Sequence, residues 1–119
     1  MDALEKLVRV IDCETTGVED DSQVVEIASV DWRGSGVFEN ARSTLAKPTI
    51  PIPPTASAVH HITDATVEKA PALASALDLF AGAPIYCAHN ARFDQRFLSL
   101  NGHWVCTYKV ALKVWPDAP

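Results

Sequence analysis

An apolar run that leads directly into alternating acidic residues is the feature that most constrains this chain. The run Leu7–Ile11 is followed by Asp12-Cys13-Glu14-Thr15-Thr16-Gly17, which ends in a turn-forming glycine. Successive side chains on a strand point to opposite faces, so Asp12 and Glu14 share a face if the segment is extended. Two neighbouring carboxylates repel each other, and a hard divalent cation such as Mg²⁺ removes that cost. The segment therefore predicts a strand with a metal site at its end.

Length and composition indicate one globular domain. The chain has 119 residues, of which 48% are hydrophobic and 21% are charged, and it contains no low-complexity run. Such a chain can bury a core, and disorder is not expected. The net charge of −5 argues weakly against a nucleic-acid binder held by electrostatics alone. A metal-dependent nuclease partly escapes this objection, because bound cations offset the carboxylates of its site.

Other sequence features predict a cytoplasmic protein. No apolar stretch reaches about 18 residues, so no membrane span is expected. The first residues carry acids early and lack the pattern of a signal peptide. Cys13, Cys87 and Cys106 are scattered and form no CxxC pair, which favours reduced thiols over disulfides or a zinc site.

Residue patterning predicts an α/β fold around a mixed sheet. Strands are expected at Leu7–Ile11, Gln23–Trp32, Val37–Leu45, Ile85–Ala88 and Trp104–Thr107. Helices are expected at Thr55–His61, Thr63–Lys69, Ala72–Phe80, from the cap residue Asn90 to Leu100, and from Val110 to Val114. The first three strands have short connections and indicate an antiparallel meander. The later strands alternate with helices, which is typical of α/β domains.

A second polar cluster, His89-Asn90-Ala91-Arg92-Phe93-Asp94, follows the fourth predicted strand. Taken alone, Asp94 is well explained as an acid that is favoured near a helix N-terminus. Together with Asp12-x-Glu14-Thr15-x-Gly17, however, the cluster resembles the first two motifs of the DEDD superfamily of DnaQ-like 3′–5′ exonucleases. The order matches, and so does the separation of 94 − 12 = 82 residues.

Further segments resemble one branch of that superfamily, which contains exonuclease X and the proofreading subunit of bacterial DNA polymerase III. Val59-His60-His61-Ile62-Thr63 is similar to a His-Gly-Ile-Thr segment of the branch, with His61 where glycine is usual. The likeness continues after the second motif, through Trp104-Val105-Cys106-Thr107, Lys109, Ala111 and Trp115-Pro116. The resemblance therefore covers nearly the whole chain.

The resemblance implies a fold and a set of site residues. The fold is a ribonuclease H-like mixed five-stranded sheet with flanking helices, and residues 1–119 are the N-terminal part of a single exonuclease domain. Asp12, Glu14 and Asp94 are implied as catalytic residues that bind a pair of Mg²⁺ or Mn²⁺ ions. Such a pair stabilises the entering and leaving oxygens of a displacement at phosphorus. Thr15, His60 and Phe93 are implied as substrate contacts.

One departure from the family pattern limits the expected activity. The superfamily has a third motif, a His followed five residues later by Asp, and 119 − 94 = 25 residues follow Asp94 here. His103 is followed at that spacing by Tyr108, and Asp117 is preceded by Leu112, so neither pair fits. The chain is therefore expected to lack the general base, the fourth carboxylate and the C-terminal helices that carry them. A general base contributes about 10²–10⁴-fold in rate, so weak activity is expected from these residues alone.

Three functions remain open at this point. The resemblance favours a 3′–5′ exonuclease acting on single-stranded DNA ends, in repair or proofreading, although RNA-trimming relatives use the same residues. The second is an inactive remnant that binds a nucleic-acid end or a protein, where apolar surface left by the missing helix promotes self-association or binds a partner chain. The third is another ribonuclease H-like phosphoryl-transfer domain, which the Glu14-Thr15-x-Gly17 context makes less favoured.

Overall fold

The computed structural model describes residues 7–34 and 36–118. Five strands form one mixed sheet in the order β3-β2-β1-β4-β5. The strands are β1 (Val8–Thr15), β2 (Val24–Trp32), β3 (Phe38–Leu45), β4 (Ile85–Ala88) and β5 (His103–Cys106). β1, β2 and β3 pair antiparallel, whereas β4 runs parallel to β1 and β5 parallel to β4. The predicted mixed five-stranded sheet and its antiparallel meander are both confirmed.

Four helices accompany the sheet, at α1 (Pro54–His60), α2 (Leu73–Leu77), α3 (Ala91–Phe97) and α4 (Thr107–Val114). The segment 63–69, predicted as a short helix, forms turns instead. None of the helices within the described ranges combines the length and apolar character needed to cross a bilayer.

Several predicted boundaries are wrong, each for a local reason. β1 continues four residues beyond Ile11, because β2 pairs with it along the acidic segment as far as Thr15. α2 is shorter than predicted, since residues 78–80 tighten into turns with bonds between residues three apart. α3 ends at Phe97, where the chain becomes extended and buries Leu98. α4 begins three residues before the predicted Val110, directly after β5.

Asn90 precedes α3 as predicted but does not cap it with its side chain. It adopts the left-handed conformation, with φ 62° and ψ 58°, and makes no side-chain capping hydrogen bond. Asparagine tolerates this conformation better than most residues. Asn90 therefore makes the sharp turn between β4 and α3 rather than satisfying the first amides of the helix.

Two apolar clusters lie under the sheet and its connections. The larger joins β1, β2 and β4 to α2 and α3 through fully buried Ile27, Phe80 and Tyr86. The smaller packs Val25 against the proline-rich connection and the segment after α1, through residues Ile52, Ile62 and Val67. The smaller cluster seats α1 beside the end of β1, where the acidic residues lie.

A buried ion pair connects the central strands to the turn after α2. Asp31 on β2 accepts hydrogen bonds from Arg9 Nε at 2.8 Å and from Arg42 Nη2 at 3.2 Å. The Arg9 guanidinium also donates to the carbonyls of Phe80 and Ala81, at 3.0 and 3.1 Å. Burial alone would raise the pKa of Asp31, but the two arginines outweigh it and lower that pKa.

One face of the sheet is open near the acidic residues. Asp12 on β1 and Ala28, its register partner on β2, are both exposed. They line a groove of about 660 Å³ together with residues that include Val10, Val30, Ala88 and His89. Asp12 therefore shares this groove with half-buried Val10 and Val30, and exposed apolar surface on this domain stays a prediction.

Candidate active site

β1 presents two of the predicted site residues on one face. Asp12 is exposed and Glu14 is half-buried, while the intervening Cys13 points to the core. Glu26 on β2 is the register partner of Glu14, which adds a third carboxylate at this end of the sheet. The alternation expected from the sequence is therefore confirmed.

The third predicted carboxylate reaches β1 from its edge. β4 pairs with β1 from Val8 to Val10, and beyond Val10 this edge of β1 is no longer paired with β4. α3 follows β4 and delivers Asp94 into this opening. Its Oδ1 accepts hydrogen bonds from the Cys13 backbone N–H at 3.1 Å and from the Cys13 thiol at 3.2 Å. Asp94 is thus buried and tied to the residue between Asp12 and Glu14.

Burial and mutual repulsion perturb these acids. Burial, followed by the charge of Asp12, raises the pKa of Glu14, while nearby His60 works in the opposite direction. Burial is also the main cause that raises the pKa of Asp94, with a further contribution from Asp12 and opposition from the hydrogen bonds of Cys13. Both acids therefore bear a cost when ionised that a nearby cation would relieve.

The donor set suits a hard divalent cation, although the structure does not assemble a complete cage. Oxygen ligands from Asp12 and Glu14 share one face of β1, and burial, followed by the charge of Asp12, raises the pKa of Glu14 there. Among the residues described, however, no three His, Cys, Asp or Glu side chains are grouped so that one ion could contact all of them. The metal-binding roles of Asp12, Glu14 and Asp94 remain predictions.

A cleft of about 460 Å³ lies beside these acids. It is lined by three segments: the end of β1 with the turn that follows it, α1, and α3. The three predicted substrate contacts Thr15, His60 and Phe93 all line it, alongside Glu14, Gly17, Val18, Glu19 and residues of α1. The structure therefore brings the predicted substrate residues together, one from each segment, next to Glu14.

The polar groups of Thr15 and His60 are engaged by the protein itself. Thr15 is buried, and its hydroxyl donates to the Gly17 carbonyl at 2.6 Å. His60 Nδ1 accepts from the Ile62 backbone N–H at 3.1 Å, so Nε2 carries the ring proton and donates to the Thr15 carbonyl at 3.0 Å. His60 thus braces α1 against the end of β1. Substrate contact by these residues remains a prediction, and for His60 it would involve the ring face.

His61 occupies a position that favours glycine, in agreement with the family pattern noted above. It ends α1 in the left-handed conformation, with φ 62° and ψ 20°, and its backbone N–H bonds the Ser57 carbonyl. A helix commonly ends on glycine in this conformation because a Cβ is strained there. The chain keeps the backbone geometry of the motif while carrying a strained side chain.

Two residues at the site were missed by the sequence analysis. Cys13 was treated as a free thiol, although strand alternation places it on the core side, where the helix carrying Asp94 packs. Arg96 holds the turn after β1 through a hydrogen bond to the Val18 carbonyl at 2.8 Å. Its position two residues after Asp94 gives no sign of that long-range contact.

Comparison with known proteins defines the class to which this fold and site belong. Residues 9–110 match the exonuclease family RNase_T. The chain therefore belongs to the exonuclease family, which confirms the resemblance seen in the sequence.

Particular relatives sharpen this assignment. Exodeoxyribonuclease 10 of Escherichia coli K12 is 42% identical over 111 residues, covering 92% of this chain and 49% of that protein. The DNA polymerase III subunit epsilon of Treponema pallidum is 33% identical over 119 residues, covering 88% of this chain and 55% of that protein. This chain thus spans about half the length of these relatives.

Solved structures confirm the fold. Exonuclease X in complex with 5′ overhanging duplex DNA superimposes with a TM-score of 0.88 at 42% identity, covering 94% of this chain and 66% of that one. Product-bound exonuclease I has a TM-score of 0.77 at 15% identity, covering 95% and 33%, and supports the fold alone. The predicted ribonuclease H-like sheet with flanking helices is confirmed by these superpositions.

Proposed function

We propose that this chain is the N-terminal part of a metal-dependent 3′–5′ exonuclease domain that hydrolyses phosphodiester bonds at single-stranded DNA 3′ ends. The observation that carries the proposal is the placement of the acids: Asp12 and Glu14 share one face of β1, and Asp94 is hydrogen-bonded to Cys13 between them. Glu14 also lines the cleft of about 460 Å³. Membership of the exonuclease family supports it. DNA is preferred over RNA because the relative that is 42% identical is named an exodeoxyribonuclease.

Each site residue has a proposed role. Asp12 and Glu14 would hold a Mg²⁺ or Mn²⁺ ion on the shared face of β1, and Asp94 would help to hold a second ion. The bound cations would activate water and stabilise the entering and leaving oxygens at phosphorus. Phe93 stacks on the terminal sugar or base, since aromatic rings bind unpaired bases in a sequence-tolerant way. Thr15 and His60 shape the wall of the cleft around that nucleotide.

The test is release of 3′ mononucleotides from a labelled single-stranded DNA oligonucleotide in Mn²⁺. Asp12→Asn should abolish release, because it removes a ligand charge with little change in shape. Asp78→Asn is the matched control. Asp78 is exposed and directly follows α2, far along the sequence from β1. An RNA oligonucleotide of the same sequence in a parallel reaction tests the preference for DNA.

The expected rate is low, because the sequence after Asp94 lacks a His and an Asp at the spacing of the third motif. Loss of a general base costs about 10²–10⁴-fold in rate. Mn²⁺-dependent release that Asp12→Asn lacks would support the proposal. Release that survives a chelator, or that Asp12→Asn retains, would contradict it.

A second candidate is a binding module without hydrolysis. It is favoured by the observation that no three potential ligands in the part of the chain described here are grouped around one ion position. Under this alternative, the folded protein binds the oligonucleotide equally well in a chelator and in Mn²⁺ and releases nothing. The same reactions, followed by fluorescence anisotropy, therefore separate the two functions.

We also propose that a second copy or another chain binds this domain, and that the protein is located in the cytoplasm. The open groove around Val10 and Ala28 would be covered by a second copy or by another chain, and light scattering across a concentration series tests for a second copy. Cys13, Cys87 and Cys106 are free thiols, which suits a reducing cytoplasm.

A further inference from the structure

Arg96 on α3 is an exposed cation that bonds to another segment of its own protein. Its Nη2 donates to the Val18 carbonyl at 2.8 Å. Its guanidinium carbon lies 4.6 Å from the ring centre of Phe97 and 5.5 Å from that of Phe93. The two rings contact each other with centres 5.0 Å apart. Arg96 therefore bridges a helix and the turn that follows β1.

That turn, residues 17–22, is here called the acidic loop because it contains Glu19, Asp20 and Asp21. Its base is closed where the Thr16 backbone N–H donates to the Gln23 carbonyl at 2.8 Å. Within it, the Glu19 carboxylate accepts from the Val18 backbone N–H at 3.1 Å. A Cβ on Gly17 would lie 2.7 Å from that carboxylate, so the Glu19 side chain folds back over Gly17. The Val18 carbonyl of this loop accepts the hydrogen bond from Arg96.

Both groups that Arg96 holds are walls of the cleft. Gly17, Val18 and Glu19 of the acidic loop line one side, and Phe93 lines another. A hydrogen bond from a charged donor and a cation–π contact hold these walls in a fixed relation. Arg96, which is not itself among the lining residues, therefore links two walls of the cleft.

The ion pair of Arg96 is the weaker part of this arrangement. Arg96 Nη1 lies 3.5 Å from the carboxylate of Asp20, whose side chain is fully exposed. Exposed pairs at this distance contribute little to stability. The hydrogen bond to Val18 and the contact with the aromatic rings therefore carry the bridging role.

We propose that Arg96 is a positioning residue that sets the acidic loop and Phe93 at the correct separation for the 3′-terminal nucleotide. This inference rests on the proposed function, because it takes the cleft to be the nucleotide site. Arg96 acts through Val18 and Phe93 and not by contacting a phosphate.

The test compares Arg96→Gln with Arg92→Gln. Arg92 is exposed on the same helix and makes no hydrogen bond or ion pair with the residues that the structure describes, so it is a control matched in charge. Affinity for a short 5′-labelled oligothymidylate is measured in Ca²⁺ by anisotropy across a series of salt concentrations. Cleavage after Glu19 by a glutamate-specific protease reports on the acidic loop.

The positioning role predicts three results for Arg96→Gln. Affinity falls by about five- to tenfold, as expected for loss of one charge-assisted hydrogen bond. The slope of affinity against salt stays unchanged, whereas loss of a phosphate contact on a single strand would reduce it by about 0.7. Cleavage after Glu19 becomes faster. Arg92→Gln changes none of these.

Other outcomes overturn the proposal in distinguishable ways. A reduced salt slope with unchanged cleavage after Glu19 would make Arg96 a phosphate contact. Unchanged affinity in Arg96→Gln would remove its role in binding while leaving the proposed function intact. Absence of binding by the unsubstituted protein would refute the nucleotide site itself, and the proposed function with it.

Discussion

The hydrogen bond between the Cys13 thiol and Asp94 predicts that a residue facing the core controls the proposed metal site. Burial, together with the charge of Asp94, raises the pKa of the Cys13 thiol, so the sulfur keeps its proton at neutral pH. It therefore donates to Asp94 Oδ1, as its distance of 3.2 Å indicates. This contact and the Cys13 backbone N–H both hold Oδ1 of the carboxylate, so we expect the other oxygen to be the one that would bind a cation.

The matched perturbations are Cys13→Val and Cys13→Thr. The two side chains have the same shape, but threonine restores a donor toward Asp94 and valine does not. Hydrogen bonds to charged groups contribute about 1.5–3 kcal/mol, and a thiol is a weak donor, so we expect a loss of about 1 kcal/mol in Cys13→Val. That loss corresponds to about fivefold weaker binding of Mn²⁺. Cys13→Thr should bind Mn²⁺ within about twofold of the unsubstituted protein.

Titration of Mn²⁺ by electron paramagnetic resonance measures the free ion directly and needs no catalysis. Asp12→Ala identifies the fraction that is bound at this site, and urea unfolding of each variant measures its stability. Equal Mn²⁺ affinities for Cys13→Val and Cys13→Thr would refute the reasoning, because the only designed difference is the donor to Asp94. A difference in affinity without a matching difference in stability would support it.

Four further predictions follow from the same structure. Asp31→Ala should lower the free energy of unfolding by about 3–5 kcal/mol, because it leaves the Arg9 guanidinium buried without its partner. Urea unfolding measures this loss, and adding Arg9→Met to the Asp31→Ala variant should recover part of it. The lowered pKa of Asp31 means that its stabilising effect is present above the unfolded pKa of about 3.9 and is lost as pH falls through the folded value, which acid titration of the fold can follow. His61→Gly should raise stability by about 0.5–1 kcal/mol, since it relieves a Cβ in the left-handed conformation, and no gain in urea would show that the residue is unstrained. The raised pKa values of Glu14 and Asp94 favour their protonated forms, so their stabilising effect is present at acid pH and is lost as pH rises through the folded pKa values. The gain in melting temperature on adding Mn²⁺ should therefore be larger at neutral pH than at acid pH. An equal gain at both pH values would place the ion elsewhere.

Much of the site follows from local sequence. Strand alternation alone places Asp12 and Glu14 on one face, and the structure confirms it. The position of Asp94 on the first turn of a helix after a buried strand also follows from local patterning. These features depend on backbone geometry within a few residues, which side-chain periodicity reports directly.

Helix ends were predicted less well, because contacts made far along the chain decide them. α2 stops early where side chains from three strands donate hydrogen bonds to the backbone carbonyls. Arg42 donates to Leu79, Tyr86 donates to Phe80, and Arg9 donates to both Phe80 and Ala81. α3 stops early because Leu98 turns into the core. Neither competing interaction is visible in the helical segment itself.

By itself, then, the sequence determined the strand–turn motifs, the family and the mixed sheet. Tertiary structure alone decided how Asp94 reaches β1. β4 leaves β1 after Val10, and this opening exposes the Cys13 backbone N–H to Asp94. Tertiary structure also decided that both ring nitrogens of His60 form hydrogen bonds with backbone groups, and that Arg96 donates to the Val18 carbonyl. The reason is physical: register, strand divergence and side-chain reach depend on where distant segments pack, and no local pattern encodes those distances.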